Sequence, residues 1–93
     1  MAKPRYSAST SRDLERLARF LYETDPLEAV KTIPLIISAV DVLALHPRIG
    51  RPCGQLRELV ISRGKTGYVA LYRYDEIRDV ARVLAIRHQR EIS

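Results

Sequence analysis

The sequence holds one cysteine, Cys53, and no tryptophan. A single cysteine excludes an internal disulfide and favours a reducing compartment. With only two histidines beside it, His46 and His88, a four-ligand structural zinc site would need carboxylates, so we expect neither a metal nor a cofactor. The longest apolar stretch, residues 33–45, is shorter than the roughly 20 residues of a transmembrane helix. The first residues lack the apolar segment of a signal peptide, and we therefore expect a cytoplasmic protein without membrane contact.

Basic residues, by contrast, are abundant. The sequence has 16 Lys and Arg against 11 Asp and Glu, a net charge of +5 and a pI near 9.8. Residues 1–46 carry equal numbers of both signs, so the whole excess lies in residues 47–93. Such a distribution favours a polyanion or an acidic protein as partner, although a basic surface that only serves solubility fits the charge equally well.

The first half of the sequence predicts a short strand and two helices. The strand covers about residues 5–8, and the hydroxyls of residues 9–11 cap a helix over about 11–23, whose leucines recur at helical spacing. Asp25 and Pro26 start a second helix that runs to about Leu45. Pro34 lies inside it and is expected to bend the helix or to break it in two.

Apolar residues surround the second helix on more than one side. One apolar stripe is formed by Val30, Ile33, Ile37, Val40 and Ala44. The remaining apolar residues extend around the helix, so that it is either sandwiched or meets a partner.

The second half of the sequence predicts strands. A Pro- and Gly-rich linker covers residues 46–54. Strands follow at 56–62, 68–74 and 80–87, joined by a basic turn at 63–67 and a second turn at 75–79. The last strand is apolar on both faces and belongs inside the sheet. The fold class is therefore α+β: an N-terminal strand and a two-helix hairpin packed on an antiparallel sheet of three further strands.

Five segments, in this order, resemble the RelE/ParE toxin superfamily, and together they span nearly the whole chain. They are Arg12–Glu15 (RDLE), His46–Arg51 (HPRIGR), Leu56–Ile61 (LRELVI), Tyr68–Tyr74 (YVALYRY) and Val83–Glu91 (VLAIRHQRE). The resemblance implies a single toxin domain over residues 1–93, from a bacterial type II toxin–antitoxin module that serves plasmid stabilisation. It also implies a cognate antitoxin that wraps the domain, with Leu35, Ile36, Val42 and Leu43 as part of the docking face.

The superfamily contains two activities. RelE-type members are ribosome-dependent mRNA endoribonucleases. They resemble each other in two features: an arginine follows the first aromatic residue of the second strand, and a tyrosine lies near the C-terminus. Here Val69 occupies the first place, and no aromatic residue follows Tyr74. These departures favour the ParE-type activity, inhibition of DNA gyrase by binding. The mRNA endoribonuclease and a degenerate, non-toxic homologue that still binds antitoxin remain the alternatives.

A ribonuclease site can nevertheless be assembled from the sequence. His88 has a suitable pKa for a general acid, Glu58 or Glu91 could act as the base, and Arg57, Arg73 or Arg87 could hold the phosphate. A surface histidine at a strand end is the simpler reading of His88. Either way, the basic side of the later strands is the predicted contact surface for the toxin's target. It comprises Arg57, Arg63, Lys65, Arg73, Arg87, His88 and Arg90.

Two further predictions concern the linker and the tyrosines. Arg51 is expected to order the linker by bonding carbonyls or a carboxylate, and Gly50 to supply a turn conformation that other residues resist. Tyr68, Tyr72 and Tyr74 alternate on one strand face, where they could stack on bases or pack in the core.

Overall fold

One five-stranded sheet carries both helices on the same face. The computed structural model describes residues 1–63 and 66–88, with the backbone alone at residues 62, 63 and 66. The described elements are β1 (Lys3–Tyr6), α1 (Ala8–Thr24), α2 (Pro26–Asp41), a 3-10 turn (Val42–Ala44), β2 (Arg51–Cys53), β3 (Leu56–Arg63), β4 (Thr66–Asp75) and β5 (Val80–His88).

The strand order is β1-β5-β4-β3-β2, with β1 parallel to β5 and the other pairs antiparallel. This confirms the predicted α+β fold and the antiparallel pairing of its three later strands, with two additions. The sheet as a whole is mixed, because β1 joins its edge in the direction of β5. A short edge strand, β2, also lies within the segment predicted as a linker, where residues 51–53 pair with residues 56–58.

Ser7 caps α1, one turn earlier than predicted. Its hydroxyl accepts a hydrogen bond from the N–H of Thr10 at 3.1 Å. The Thr10 hydroxyl is fully buried and donates to the carbonyl oxygen of Val83 at 3.0 Å. The start of α1 is therefore bonded to β5, a tertiary contact that the local sequence pattern does not contain.

The start of α2 is as predicted, and the helix is continuous. Asp25 caps the helix by accepting from the N–H of Glu28 at 3.2 Å, and Pro26 occupies the first turn. Of the two outcomes expected at Pro34, a bend or a break, the break does not occur: the helix continues through it to Asp41 before tightening into the 3-10 turn. Pro34 lies on the exposed side, where the carbonyl left without a donor can reach water.

The core lies between α2 and the central strands. Its largest fully buried side chains include Ile36, Val40 and Leu43 from the helical half and Tyr72 and Val83 from the sheet. Because side chains alternate along a strand, each residue next to a core residue on β4 or β5 points to the other side of the sheet. We call that side, opposite the helices, the open face.

Candidate protein-interaction surfaces

An apolar stripe runs along the outside of α2. Leu27, Val30 and Ile37 are 77%, 59% and 43% exposed, and Pro34 is exposed between them. The spacing of these four residues, which we call the outer stripe, places them on one side of the helix. Apolar side chains in such an arrangement are typical of a surface that another protein covers.

Burial corrects two members of the predicted antitoxin-docking face. Ile36 and Leu43 are fully buried in the core, so the expectation that they are available to a partner is wrong. Leu35 is partly buried against the same core, while Val42 is 40% exposed.

The apolar stripe predicted on α2 coincides only in part with the buried side of the helix, because Val40 is buried whereas Val30 and Ile37 are exposed. The buried side of α2 is formed by Ala29, Thr32, Ile36 and Val40. The helix is apolar nearly all round, so its periodicity does not decide which side faces the sheet. Ala29 and Thr32 allow the helix to pack closely on the sheet, and the larger side chains of Val30 and Ile37 therefore face outwards.

Three arginines stand side by side on the open face of the sheet. Arg73 of β4 is directly opposite Arg82 of β5, which is directly opposite Arg5 of β1. All three side chains are exposed. We call Arg5, Arg82 and Arg73 the arginine row. Arg73 was among the predicted target-binding residues, whereas Arg5 and Arg82 were missed, because their alignment depends on the strand register.

Three of the described acidic side chains lie near this row, and all are already engaged; one of them, Glu76, forms an ion pair with Arg48. Glu58 forms an ion pair with Arg51 at 3.7 Å across the β2–β3 pair. Asp75 accepts hydrogen bonds from the backbone N–H groups of Ile77 and Arg78, at 3.0 and 3.1 Å. These hydrogen bonds, that of Arg78 above all, hold the pKa of Asp75 below its ordinary value. Within residues 1–63 and 66–88, no ion pair neutralises any member of the arginine row.

Of the proposed ribonuclease residues, Arg57 and Arg73 line one pocket of about 220 Å³, but His88 and Glu58 lie on opposite faces of the sheet. His88 pairs with Tyr68 on the helix face, and their rings meet edge to face with centroids 5.3 Å apart. Glu58 and Arg73 are on the open face, and Glu58 is held by Arg51. The described structure therefore contains no shared space in which His88 and Glu58 could act on one phosphate.

Arg57 has a structural role besides the predicted one. Its guanidinium donates to the carbonyl oxygens of Arg48 at 3.1 Å and of Gly50 at 2.8 Å. It thus fixes the segment before β2, and because both acceptors are neutral, it remains a cation that lines the same pocket as Arg73.

The other members of the predicted basic surface are separated. Arg87 is exposed on the open face, opposite Val69. Lys65 and Arg90 lie outside the described residues, as do Glu91 and the side chain of Arg63.

A groove of about 390 Å³ lies between α1 and the ends of β4 and β5. Its lining includes Leu17, Phe20 and His88. Phe20 is 59% exposed there, and Asp13, Arg16 and Arg87 line the same groove, so His88 borders both apolar and charged side chains. Asp13 is engaged there by Arg16 in an ion pair of 3.9 Å.

The tyrosines of β4 face the helices. Tyr72 is fully buried, and Tyr68 and Tyr74 pack against the core, which leaves none of the three available as an open stacking platform. The hydroxyl of Tyr74 donates to Asp79 at 2.6 Å. That bond raises the pKa of Tyr74 and lowers the pKa of Asp79.

Arg51 and Gly50 of the linker are held in place by different contacts. Arg51 binds the carboxylate of Glu58, one of the two partners predicted for it. Gly50 is required for space instead of a turn conformation, because a Cβ there would lie 2.7 Å from the Tyr72 ring and 2.9 Å from the carbonyl oxygen of Glu58. The left-handed glycine is Gly54, at φ +62°.

Among the residues that the structure describes, no group of three or more His, Cys, Asp and Glu side chains could hold a metal ion. In the same part of the chain, no helix is both long enough and apolar enough to cross a membrane.

Comparisons with known proteins identify the family. The model of the ParE toxin of type II toxin–antitoxin systems, parDE, matches residues 5–93. The protein named Toxin RelE3 of Caulobacter vibrioides is 43% identical over 82 residues, covering 86% of each chain. Toxin RelE1 of the same organism is 40% identical over 68 residues, covering 72% of this chain and 73% of its own.

A solved structure confirms the fold. The chromosomal ParDE system from P. aeruginosa superposes with a TM-score of 0.75 at 20% identity, covering 95% of this chain and 96% of the other. The family model and the identities to curated relatives together show that the chain belongs to the ParE toxin family of type II toxin–antitoxin systems, within the RelE/ParE superfamily.

Proposed function

We propose that this toxin inhibits DNA gyrase in the cytoplasm by binding to it, and that a cognate antitoxin neutralises it. The observation that carries the proposal is the separation of His88 from Glu58 by the sheet. Hydrolysis or transfer at a phosphate requires an acid, a base and cations around one reacting centre. Here Glu58, the candidate base that lies within the described residues, is ion-paired on one face of the sheet, and the candidate acid His88 is on the other.

The sequence adds support at the position of Val69. Val69 is 4% exposed and lies between Val60 and Arg87 in the sheet. A buried valine cannot stabilise charge on a phosphorane, which is the role that the resemblance gives to an arginine at this place. Binding to a protein target makes no such demand.

The outer stripe of α2 supports the antitoxin half of the proposal. Two of its residues, Leu27 and Val30, are more than half exposed, although both are apolar. Permanent protein interfaces are rich in such side chains, and burying one contributes about 1.5–3 kcal/mol. We assign the antitoxin to this surface, in place of the buried Ile36 and Leu43.

The experiment expresses the chain and measures two activities in parallel. A supercoiling assay with purified gyrase is expected to show inhibition, and primer extension on cellular mRNA to show no new cleavage ends. His88→Ala should leave the toxicity unchanged. Codon-edge mRNA cleavage that disappears in His88→Ala would establish the ribonuclease instead, since general acid catalysis contributes roughly 10²–10⁴-fold. Normal growth and no effect in either assay would indicate the degenerate homologue.

A further inference from the structure

We propose that the arginine row, Arg5–Arg82–Arg73, binds an acidic, extended segment of the protein that this toxin inhibits. The inference deepens the proposed function and rests on it for the identity of the partner. It assigns the target contact to three side chains, only one of which the sequence pattern identifies.

The strand register determines the geometry of the row. Arg5, Arg82 and Arg73 are direct neighbours across three adjacent strands, and adjacent strands are about 4.7–4.9 Å apart. Two guanidinium groups at that spacing can converge on the same carboxylate, and the planar fork of arginine suits bidentate binding. The row can therefore hold two carboxylates, one in each gap.

The row is unfavourable for the isolated chain. Like charges directly opposite each other across strands destabilise a sheet. Arg82 has such a neighbour on both sides, and the nearby acids are engaged elsewhere: Glu58 by Arg51, Glu76 by Arg48, and Asp75 by its own turn. Three exposed cations left in this arrangement are ready for an anionic partner.

The surroundings of the row favour a protein segment over a nucleic acid. The described tyrosines of β1 and β4 belong to the helix face, so the open face offers no aromatic ring on which bases could stack. The cross-strand neighbours Leu71 and Ala85, on the same face, are apolar and partly buried. Leu71 is two residues from Arg73, about 6.6–6.8 Å along the strand. A peptide of alternating acidic and apolar side chains matches the arginine row and the neighbouring apolar pair, Leu71 and Ala85. A phosphate backbone needs cations at both places.

The inhibited protein, and not the antitoxin, is the occupant that the chemistry of the two surfaces favours. The outer stripe is apolar and lies on the helical side of the molecule, which suits a permanent partner. The arginine row is charged and exposed, which suits a partner that is reached by electrostatic steering and can be released.

The test uses the purified full-length chain and a fluorescein-labelled decapeptide of alternating Glu and Val. Anisotropy measures binding of this peptide, of its Glu→Gln counterpart and of a 20-base-pair DNA duplex. The row variant is Arg73→Gln with Arg82→Gln. The matched control is Arg12→Gln with Arg19→Gln, which removes two exposed arginines of α1 and lowers the net charge equally.

We expect the acidic peptide to bind the wild type and the control alike, and the row variant at least about tenfold more weakly. Binding should weaken as salt rises from about 0.05 to 0.5 M, because the contacts are exposed charges. Equal loss in the control would reduce the effect to net charge and overturn the proposal. Stronger, row-dependent binding of the duplex would also overturn it, by making the surface a nucleic-acid site.

Purified gyrase and the antitoxin identify the source of the acidic segment. The row variant should inhibit supercoiling at least about tenfold less effectively and still bind antitoxin like the wild type. Loss of antitoxin binding in the row variant would assign the row to the antitoxin and contradict the proposal. If the wild-type chain fails to inhibit gyrase, the proposed function fails, and the peptide arm still decides whether the row binds acidic protein.

Discussion

The backbone N–H of Gly50 donates a hydrogen bond of 2.9 Å to the hydroxyl of Tyr72, and a Cβ on residue 50 would lie 2.7 Å from that tyrosine's ring. The same hydroxyl donates to the carbonyl oxygen of Pro47 at 2.8 Å. A buried side chain of β4 therefore fixes the backbone that precedes β2, and this contact explains the glycine of the HPRIGR segment.

Gly50→Ala should lower the free energy of unfolding by about 1–3 kcal/mol, because the new methyl group overpacks a fully buried ring. Urea unfolding followed by circular dichroism measures the change. Gly54→Asn is the control: nothing lies within 4 Å of a Cβ at that position, and asparagine tolerates the positive φ. Equal destabilisation by the two substitutions would contradict the steric explanation.

Arg82→Glu should stabilise the isolated chain by about 0.2–1 kcal/mol for each of its two cross-strand pairs. The substitution turns two like-charge contacts, with Arg5 and Arg73, into two attractive ones. Urea unfolding at about 0.02 and 0.5 M salt measures both the gain and its screening. Arg19→Glu, on the exposed side of α1, provides the comparison with the same change in charge. If Arg82→Glu destabilises the chain at low salt, the three arginines do not repel each other.

Asp79 should make the fold sensitive to acid. Its hydrogen bond from Tyr74 lowers its pKa below the ordinary value of 3.8, and the charge of the N-terminus acts in the same direction. A carboxylate whose pKa is lower in the folded state stabilises the fold above the unfolded-state pKa, and this contribution is lost as the pH falls through the folded-state pKa. Asp79→Asn, which tolerates the φ of 54° at this position, should flatten the fall in stability between about pH 5 and pH 2.

Thermal unfolding of the wild type and of Asp79→Asn across this pH range tests the assignment. Asp25→Asn is a suitable control, since Asp25 caps α2 through a single backbone hydrogen bond and asparagine is an equally good cap. Identical pH profiles for the wild type and Asp79→Asn would show that the Tyr74–Asp79 contact is absent in solution.

A charge on the outer stripe should abolish antitoxin binding without unfolding the toxin. Val30→Glu and Ile37→Glu each place a carboxylate on an exposed side chain that we assign to the antitoxin interface. We expect affinity to fall at least about a hundredfold, because a charge buried without a partner at an interface costs several kcal/mol. Isothermal titration calorimetry measures the loss. Ser11→Glu adds the same charge to an exposed position of α1 and should bind normally. Normal binding by both stripe variants would place the antitoxin elsewhere.

The sequence predicted those parts of the fold that depend on local chemistry. Asp25 and Pro26 start α2 as expected, since a cap and a first-turn proline act within one helical turn. The orientation of α2 could not be predicted, because apolar residues lie on nearly every side of it. The polar Thr32 faces the core while the apolar Val30 is exposed, which is the opposite of what their hydrophobicity predicts.

The arginine row lay beyond prediction for a different reason. Arg82 becomes a neighbour of Arg73 through the register of β4 and β5, which shifts at Leu71/Tyr72, and a neighbour of Arg5 through a parallel contact between the two ends of the chain. No local pattern contains a register shift or a contact over such a sequence separation. Conversely, His88 and Glu58 looked compatible in sequence, and only the alternation of strand faces separates them.

The central claim is that this toxin acts by binding a protein. The stoichiometry of inhibition tests this claim most directly. The purified chain is titrated into a supercoiling reaction at a fixed gyrase concentration, and the same preparation into a ribosome-dependent translation reaction. The account predicts inhibition of supercoiling that saturates near equimolar toxin and reverses when antitoxin is added, with intact mRNA throughout. Cleaved mRNA at toxin concentrations far below that of the ribosomes, with supercoiling unaffected, would show turnover by a nuclease and contradict it.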